Sequence, residues 1–511
     1  MKKEKVIELE DPQLFGHPKG LTVLFFSEMW ERFCYYGMRG LLVLYLTKAL
    51  FQGDEQAFAI YAAYTALVYM APVIGGRIAD NILGYRIAIM LGAILMAIGE
   101  FIILGGNETW LYIGMGAIIV GNGYFKANIS SLVGKLYKTD DPRRDSGFTI
   151  FYIGINIGAL LATLVVVWVG ERFGFKYGFG LAGIGMLLGL LIFWSGRKLF
   201  KNISNPPNPE KLHKKVFGPL SQLHITVLLS FLAIPALYFL IIYNSVIGIL
   251  LVLTFLYVGY TLIKEGIKGG NVLRDRMIIF IILCLFNIVF WALFEQAGSS
   301  LTLFADRSVD RNVFGVFEMT AGQTQFFNPL FIILMGSLFS VLWVKLSEKN
   351  LNPNIPAKFG FGIILLGIGY LITYFGNFVH NEAYLVPLWI IVGIYFFHTV
   401  GELFISPIGL SMVTKLAPSH MSGTLMGGWF LSFSGSNYLA GQLAKLTGAN
   451  SSSAVDTADI TEVIPAALPS AGESLARYID VYTVFGLIAV GVGLFVLIIS
   501  PKLNKLMHGI R

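Results

Sequence analysis

In FFSEMWERFCYYGMRG, residues 25–40, the charged side chains Glu28, Glu31, Arg32 and Arg39 run through an apolar stretch long enough to cross a bilayer. A charge at that depth costs about 2.5–3.5 kcal/mol even on the lenient insertion scale, so such groups are retained for binding or proton transfer. Glu28, Arg32, Tyr36 and Arg39 step by four, four and three, which places them on one helix face, with Glu31 beside Glu28. A polar stripe of this kind faces a water-filled cavity, because lipid does not tolerate it. The blander alternative is a structural Glu28–Arg32 pair with Arg39 reaching outward. Arg39 is still followed by LLVLYL and lies well inside the span, which weighs against that.

Other interior charges recur further along. Lys126 sits in GNGYFKANISS, Glu295 in FWALFEQAGSS and Glu402 in FHTVGELFISPIG. If the chain is two repeats, Arg39 and Glu295 occupy equivalent helices, as do Lys126 and Glu402. Each pair is opposite in sign, as a gating ion pair must be. Acids exceed bases in this set, and a buried carboxylate without a partner takes up a proton, so charge counting alone suggests proton coupling. Glu100 is a possible further acid, expected near the outer surface and merely solvated. His398, one turn before Glu402, invites a proton relay or a hydrogen bond to a neighbouring helix.

A cavity offering both signs suits a zwitterion. Arg39 and Lys126 could receive a carboxylate and Glu402 an ammonium, with Tyr36, Tyr69, Tyr152, Asn156 and Asn328 as orienting hydrogen-bond partners. Tyr152 and Asn156 are i, i+4 and share a face. Trp291 and Trp429 line side-chain pockets or fill the core.

These side chains need helices to carry them. Of 511 residues, 56% are hydrophobic and 13% charged, about half the charge of a soluble domain, so the class is integral membrane and all-α. The 57 glycines fit helices that approach closely in lipid. Runs of about 20 apolar residues predict fourteen spans, near 21–48, 57–79, 85–105, 110–135, 146–170, 177–199, 223–243, 245–264, 273–304, 322–345, 358–377, 386–416, 421–446 and 478–499. Residues 1–20 are polar and mixed in charge, so no cleavable signal is expected. Basic clusters such as KLYKTDDPRRDS (135–146) and GRKLFKNISNPPNPEKLHKK (196–215) follow spans 2, 4 and 6, which places them and both termini in the cytoplasm. The net charge of +7 is therefore mostly topology, and nucleic-acid binding is not expected.

The polar insert 200–220 divides the chain into a six-helix bundle over 15–200, two inserted helices over 220–265 and a second six-helix bundle over 272–500. Two repeated bundles around a midplane site are the arrangement of many secondary transporters. GGRIADNILGYR (75–86) resembles the loop motif of the major facilitator superfamily, in which Asp80 and Arg86 would cap helix ends. Residues 447–477 read as a Ser/Ala/Thr-rich external loop. Cys34 and Cys284 lie in apolar runs, so no disulfide, metal site or cofactor is expected. No HExxH pair, Gly-x-Ser-x-Gly turn or phosphate loop points to an enzyme.

With Glu28-x-x-Glu31-Arg32-Phe33, Tyr35-Tyr36-Gly37, FTIFYIGINIGAL (148–160), FWALFEQAGSSL (290–301), Asn328-Pro329 and GELFISPIGLSMVTKLAP (401–418), the sequence resembles the proton-coupled oligopeptide transporter family of the major facilitator superfamily, bacterial type. The resemblance implies a proton-driven symporter importing di- and tripeptides across the bacterial inner membrane. Arg39 and Lys126 would receive the peptide C-terminus and Glu402 face its N-terminus. Tyr36, Tyr69, Tyr152, Asn156 and Asn328 would contact its backbone or ends, with Ser406, Trp291 and Trp429 nearby. Glu28, Glu31, Arg32 and Glu295 would belong to proton coupling. Animal members carry a histidine on the second helix, which is absent here. The alternative is a carrier of the same frame moving nitrate, a drug or an amino acid.

Overall fold

Short polar side chains start many of the helices. Asn107 accepts from the Trp110 amide at 3.0 Å, Asn354 accepts from the Ala357 amide at 2.8 Å, and Ser221–His224 and Ser470–Glu473 form reciprocal capping boxes. The computed structural model describes residues 13–14, 16–138, 141, 143–201, 203–416, 418, 421–448 and 470–510. Most of the external loop expected over 447–477 lies outside them.

The helices divide between two compact units. The first takes the chain to Leu41 and Tyr64–Val246; the second takes Leu42–Ala63 and the chain from Ile247 onward. In chain order the helices are α1 (Lys19–Lys48), α2 (Asp54–Ile78), α3 (Gly84–Ile103), α4 (Glu108–Lys135), α5 (Arg144–Leu161), α6 (Trp168–Phe173), α7 (Phe175–Gly196), α8 (Pro209–His213) and α9 (Gln222–Ile242). They continue as α10 (Ser245–Lys268), α11 (Asn271–Phe294), α12 (Ser300–Ser308), α13 (Phe327–Glu348), α14 (Ile355–Leu371), α15 (Gly376–Val379), α16 (Trp389–Leu416), α17 (Ser422–Ala444) and α18 (Ala471–Leu506). Strand structure among the described residues is confined to four two-stranded pairs, such as Val309–Asp310 running parallel to Val386–Pro387.

Among the described residues ten helical stretches are long and apolar enough to cross a membrane, so the expected count of fourteen is not reproduced by that measure. One reason is that Asp54–Ile103 runs as a single stretch, α2 and α3 being joined by the π-turn Ala79–Leu83. The others are α1, which carries Glu28, Glu31, Arg32 and Arg39, and the Gly-rich α4 and Ser/Gly-rich α17. Side chains suited to a wet interior lower their hydropathy.

Glycines set the closest helix contacts. Gly92 and Gly99 of α3 face Gly121 and Gly114 of α4, where an added Cβ at any of the four would stand 2.6 Å from the opposing carbonyl oxygen. In the second unit, Gly360 and Gly367 of α14 meet Gly493 and Gly486 of α18 in the same way, at 2.7–3.0 Å. Backbone contact replaces side-chain interdigitation at these crossings.

The two central helices lean on different units. Tyr124 of α4 hydrogen-bonds Ser230 of α9 at 2.8 Å, in the first unit. In the second, Gly435 of α17 abuts Phe255 of α10. The tip of the α1–α2 hairpin is likewise held within the second unit. Arg307 grips Asp54 with both guanidinium ends, at 2.6 and 2.7 Å, and Lys48 reaches Asp306 at 2.5 Å.

At the opposite end of α2, Tyr85 donates to Asp80 at 2.6 Å and the Arg86 amide donates to the Ser204 carbonyl at 3.1 Å. Gly84, with φ 71°, allows the chain to turn there against Asn205 and Pro206. The helix of Glu295 is interrupted at that residue: α11 ends at Phe294 and a 3₁₀ turn, Glu295–Gly298, leads into α12. Gln296 stabilises the break by donating to the Ala292 and Ala440 carbonyls at 3.0 and 2.8 Å. Breaks of this type are frequent where a helix has a functional side chain to aim.

Candidate functional site

In the first unit the charged stripe of α1 is fully drawn into the protein. Glu28, Glu31 and Arg32 are 2%, 0% and 3% exposed, so no bulk water screens their charges. Arg32 Nε stands 2.9 Å from Glu28 Oε1 and 2.5 Å from Glu31 Oε2, one guanidinium serving two carboxylates. Asn122 Nδ2 of α4 donates to Glu31 Oε1 at 3.0 Å, fixing the second acid from a neighbouring helix. The Glu28–Arg32 contact is the one named in the blander alternative, and here Glu31 shares the same guanidinium.

Lys126, one turn beyond Asn122 on α4, lies 3.9 Å from the ring centroid of Tyr69 and 6.0 Å from that of Tyr35. It also interacts electrostatically with Glu28 and Glu31. Two acids and two bases thus share one network. Arg39 lies over the Tyr36 ring at 5.8 Å, one turn further along the stripe. On α5, Asn156 donates to the Tyr152 carbonyl at 2.9 Å; Asn156 is buried, and Tyr152 remains 40% exposed. Gly158 lets α5 lie against the Met29 carbonyl and the Arg32 Cβ of α1.

In the second unit, Asn328 of α13 donates to Glu402 Oε2 at 2.9 Å and to Thr399 Oγ1 at 3.1 Å. Thr399 in turn donates to the Tyr395 carbonyl at 2.7 Å. Glu295, 2% exposed, interacts electrostatically with Glu402. Trp291 is buried edge-on against Phe290 and Phe294 and tilted on Phe433, while Trp429 is buried against Gly409. Ser406, half-buried, lies one turn beyond Glu402 on α16. Ser432 of α17 donates to the Trp429 carbonyl at 2.6 Å and accepts from Asn287 of α11 at 2.8 Å.

Sequence reasoning missed Asn122, Thr399, Asn287 and Ser432. Asn122 had a signal, since it precedes Lys126 by one turn and shares its face. The other three needed knowledge of which helices adjoin. His398 sits 4.6 Å centroid to centroid from Tyr370 and bonds the backbone of Leu366 on α14. It is held by a neighbouring helix. Glu100 is a correction: it is 0% exposed, not solvated, and Cys34 donates to its Oε1 at 3.4 Å. The glycine-lined α3–α4 contact buries it although it stands one turn from the end of α3. Both cysteines are free and buried, and no cluster of metal-ligating side chains occurs among the described residues.

A family profile described as "POT family" (PTR2) matches residues 86–463. The chain belongs to the POT family. It is 36% identical to "Uncharacterized transporter YclF" of Bacillus subtilis (strain 168), with 97% of this chain and 96% of that one covered. It is 34% identical to "Dipeptide and tripeptide permease A" of Yersinia pestis, with 96% and 94% covered. The crystal structure of a peptide transporter POT mutant in complex with alafosfalin superposes with a TM-score of 0.81 at 34% identity, covering 98% of each chain. The expected fold, an all-α membrane protein of the major facilitator type, is the fold of these POT relatives.

Proposed function

We propose that this POT-family chain is a proton-driven symporter that imports di- and tripeptides by alternating access. The observation that carries the reading is the buried trio of Glu31, Arg32 and Glu28, a single arginine shared by two carboxylates. Protonating either acid weakens its claim on the cation and frees the arginine for another partner. Such a switch responds to hydrogen ions without a metal or cofactor.

In this reading Arg39 and Lys126 receive the peptide carboxylate and Glu402, steadied by Asn328, faces the ammonium. Tyr36, Tyr69, Tyr152, Asn156 and Ser406 orient the peptide, and Trp291 and Trp429 bound its side chains. Arg39 pairs with Glu295, and Lys126 with Glu402, at one stage of the cycle and release at another. Protons load Glu28, Glu31 and Glu295 from outside and leave to the cytoplasm, where both termini lie. The setting is the bacterial inner membrane. The functional division follows the two bundles 15–200 and 272–500 with the inserted pair 220–265, and no catalytic step is involved.

One proton crossing 100 mV supplies about 2.3 kcal/mol, and each pH unit about 1.4 kcal/mol more. Together they sustain accumulation of roughly several-hundred-fold. The deciding test is labelled dialanine uptake into proteoliposomes of the purified protein. Uptake driven by external acid, competed by tripeptides and not by nitrate or free alanine, supports the proposal. Uptake indifferent to the gradient, or competed by nitrate, would transfer it to the other carriers.

A further inference from the structure

Glu100 of α3 has no part in the scheme above, yet it is buried as completely as Glu31. Its Oε1 accepts only the weak thiol donor of Cys34, at 3.4 Å, and its Oε2 has no hydrogen-bond partner among the described residues. The groups around it are few. From α1 come Cys34 and, beyond it, Glu31 and Arg32, both of which act electrostatically on the thiol. From α2 comes Tyr64, 0% exposed, whose hydroxyl lacks a hydrogen-bond partner among the described residues and which interacts electrostatically with Glu100, Cys34 and Glu31. From α4, Gly114 and Ile118 lie against the adjoining Gly99, and from α7 Gly183 abuts the Glu100 Cβ.

Arg32, the cation that acts on the Cys34 thiol, is already shared between Glu28 and Glu31. An ionised Glu100 would be a surplus buried anion held by one thiol, which a low-dielectric interior strongly disfavours. The neutral acid meets no such penalty, and its hydroxyl is a donor that the Cys34 sulfur, 3.4 Å away, can accept.

We propose that Glu100 is an additional proton-binding carboxyl of the coupling machinery, carrying a proton in this conformation and linked to Glu31 through Cys34. The proposal rests on the proton-coupled reading above and adds a site to it. The transfer balances simply: the Glu100 O–H bond breaks, an O–H bond forms on the Glu31 carboxylate, and the negative charge passes to Glu100. The net charge of the network is unchanged, while Arg32 loses one of its two carboxylate partners. Glu100 thereby becomes a store from which the α1 switch is thrown.

Infrared difference spectroscopy of the protein in proteoliposomes tests this together with transport. The wild type is expected to show a protonated-carboxyl band at neutral pH that is absent in Glu100→Gln and displaced in Cys34→Ala. Glu100→Gln is expected to move the pH midpoint of gradient-driven dialanine uptake by about one unit, a tenfold change in proton concentration, while dialanine counterflow persists. The idea is overturned if the band survives in Glu100→Gln or if the pH profile matches the wild type. Should Glu100→Gln not be recovered folded, Cys34→Ala decides by the same band displacement and pH profile. If wild-type uptake ignores the gradient, the symport reading fails by itself, and the infrared band alone decides whether Glu100 holds a proton.

Discussion

Asn328 holds Glu402 from the adjoining helix, its amide nitrogen 2.9 Å from Oε2 and 3.1 Å from the Thr399 hydroxyl. The carboxylate is therefore presented in a fixed orientation before any ligand arrives. A hydrogen bond to a charged group is worth about 1.5–3 kcal/mol. Asn328→Ala is expected to weaken binding of a dipeptide with a free amine roughly 10- to 100-fold. An N-acetylated dipeptide, which offers Glu402 no ammonium, should lose much less. Competition binding with the two ligands checks the contrast, and equal losses would separate Asn328 from Glu402's role.

Arg32 is the counter-ion of both Glu28 and Glu31. Removing one member of a buried ion pair costs about 3–5 kcal/mol because the other charge is stranded, an amount reduced here to the extent that the acids take up protons. Arg32→Leu is expected to lower the thermal midpoint in detergent, and Glu31→Gln combined with Arg32→Leu to recover part of the loss. Gradient-driven uptake should fail in both, with dialanine counterflow surviving in the double variant. Full gradient-driven uptake in Arg32→Leu would remove the arginine from the switch.

The stripe on α1 was legible because helical periodicity is local: Glu28, Arg32, Tyr36 and Arg39 share a face whatever surrounds them. Lys126 and Glu402 stood out for the same reason, as charges inside apolar runs. What the sequence withheld was adjacency between helices. Nothing near Glu100 in the chain says that Cys34 lies against it, so its distance from the end of α3 suggested solvent. The interruption at Glu295 was equally hidden, since FWALFEQAGSS reads as continuous helix until Gln296 is seen bonding the Ala440 carbonyl of α17. Span counting faltered for a related reason: α1 and α4 carry the polar groups of the network, and those groups lower the hydropathy by which spans are recognised.

Within the second unit, two ion pairs secure the α1–α2 hairpin tip, and they differ in quality. Asp54 is 6% exposed and is held by two parallel bonds from Arg307, whereas Lys48 is 46% exposed and makes one contact with Asp306. Bidentate geometry and burial favour the first, while solvent and salt screen the second. A double-mutant cycle on Asp54→Asn and Arg307→Gln is expected to give a coupling of about 1–2 kcal/mol that persists in high salt. The corresponding cycle on Lys48→Gln and Asp306→Asn should give less than about 1 kcal/mol and fade with salt. Equal couplings in detergent unfolding would show that geometry does not set the difference.

Asp141 and Arg143 tether the N-terminal segment outside the spans. Arg143 donates to both Asp141 carboxylate oxygens, from Nε at 3.1 Å and Nη2 at 2.9 Å, and its Nη1 donates to the Gly16 carbonyl at 3.0 Å. These bonds hold the Asp141 carboxyl below its ordinary value of 3.8. A depressed acid stabilises the folded form fully above its unfolded pKa, and the contribution is lost as pH falls through the folded one. The tether is therefore expected to be constant through neutral pH and to loosen only in strong acid. Hydrogen exchange at the Gly16 and His17 amides, corrected for the intrinsic pH dependence of exchange, reads this directly. Arg143→Ala should show at neutral pH the fast exchange that the wild type shows only in acid, and Asp141→Asn should abolish the acid transition. Loosening near neutrality, or a transition unchanged in Asp141→Asn, would assign the tether to other groups.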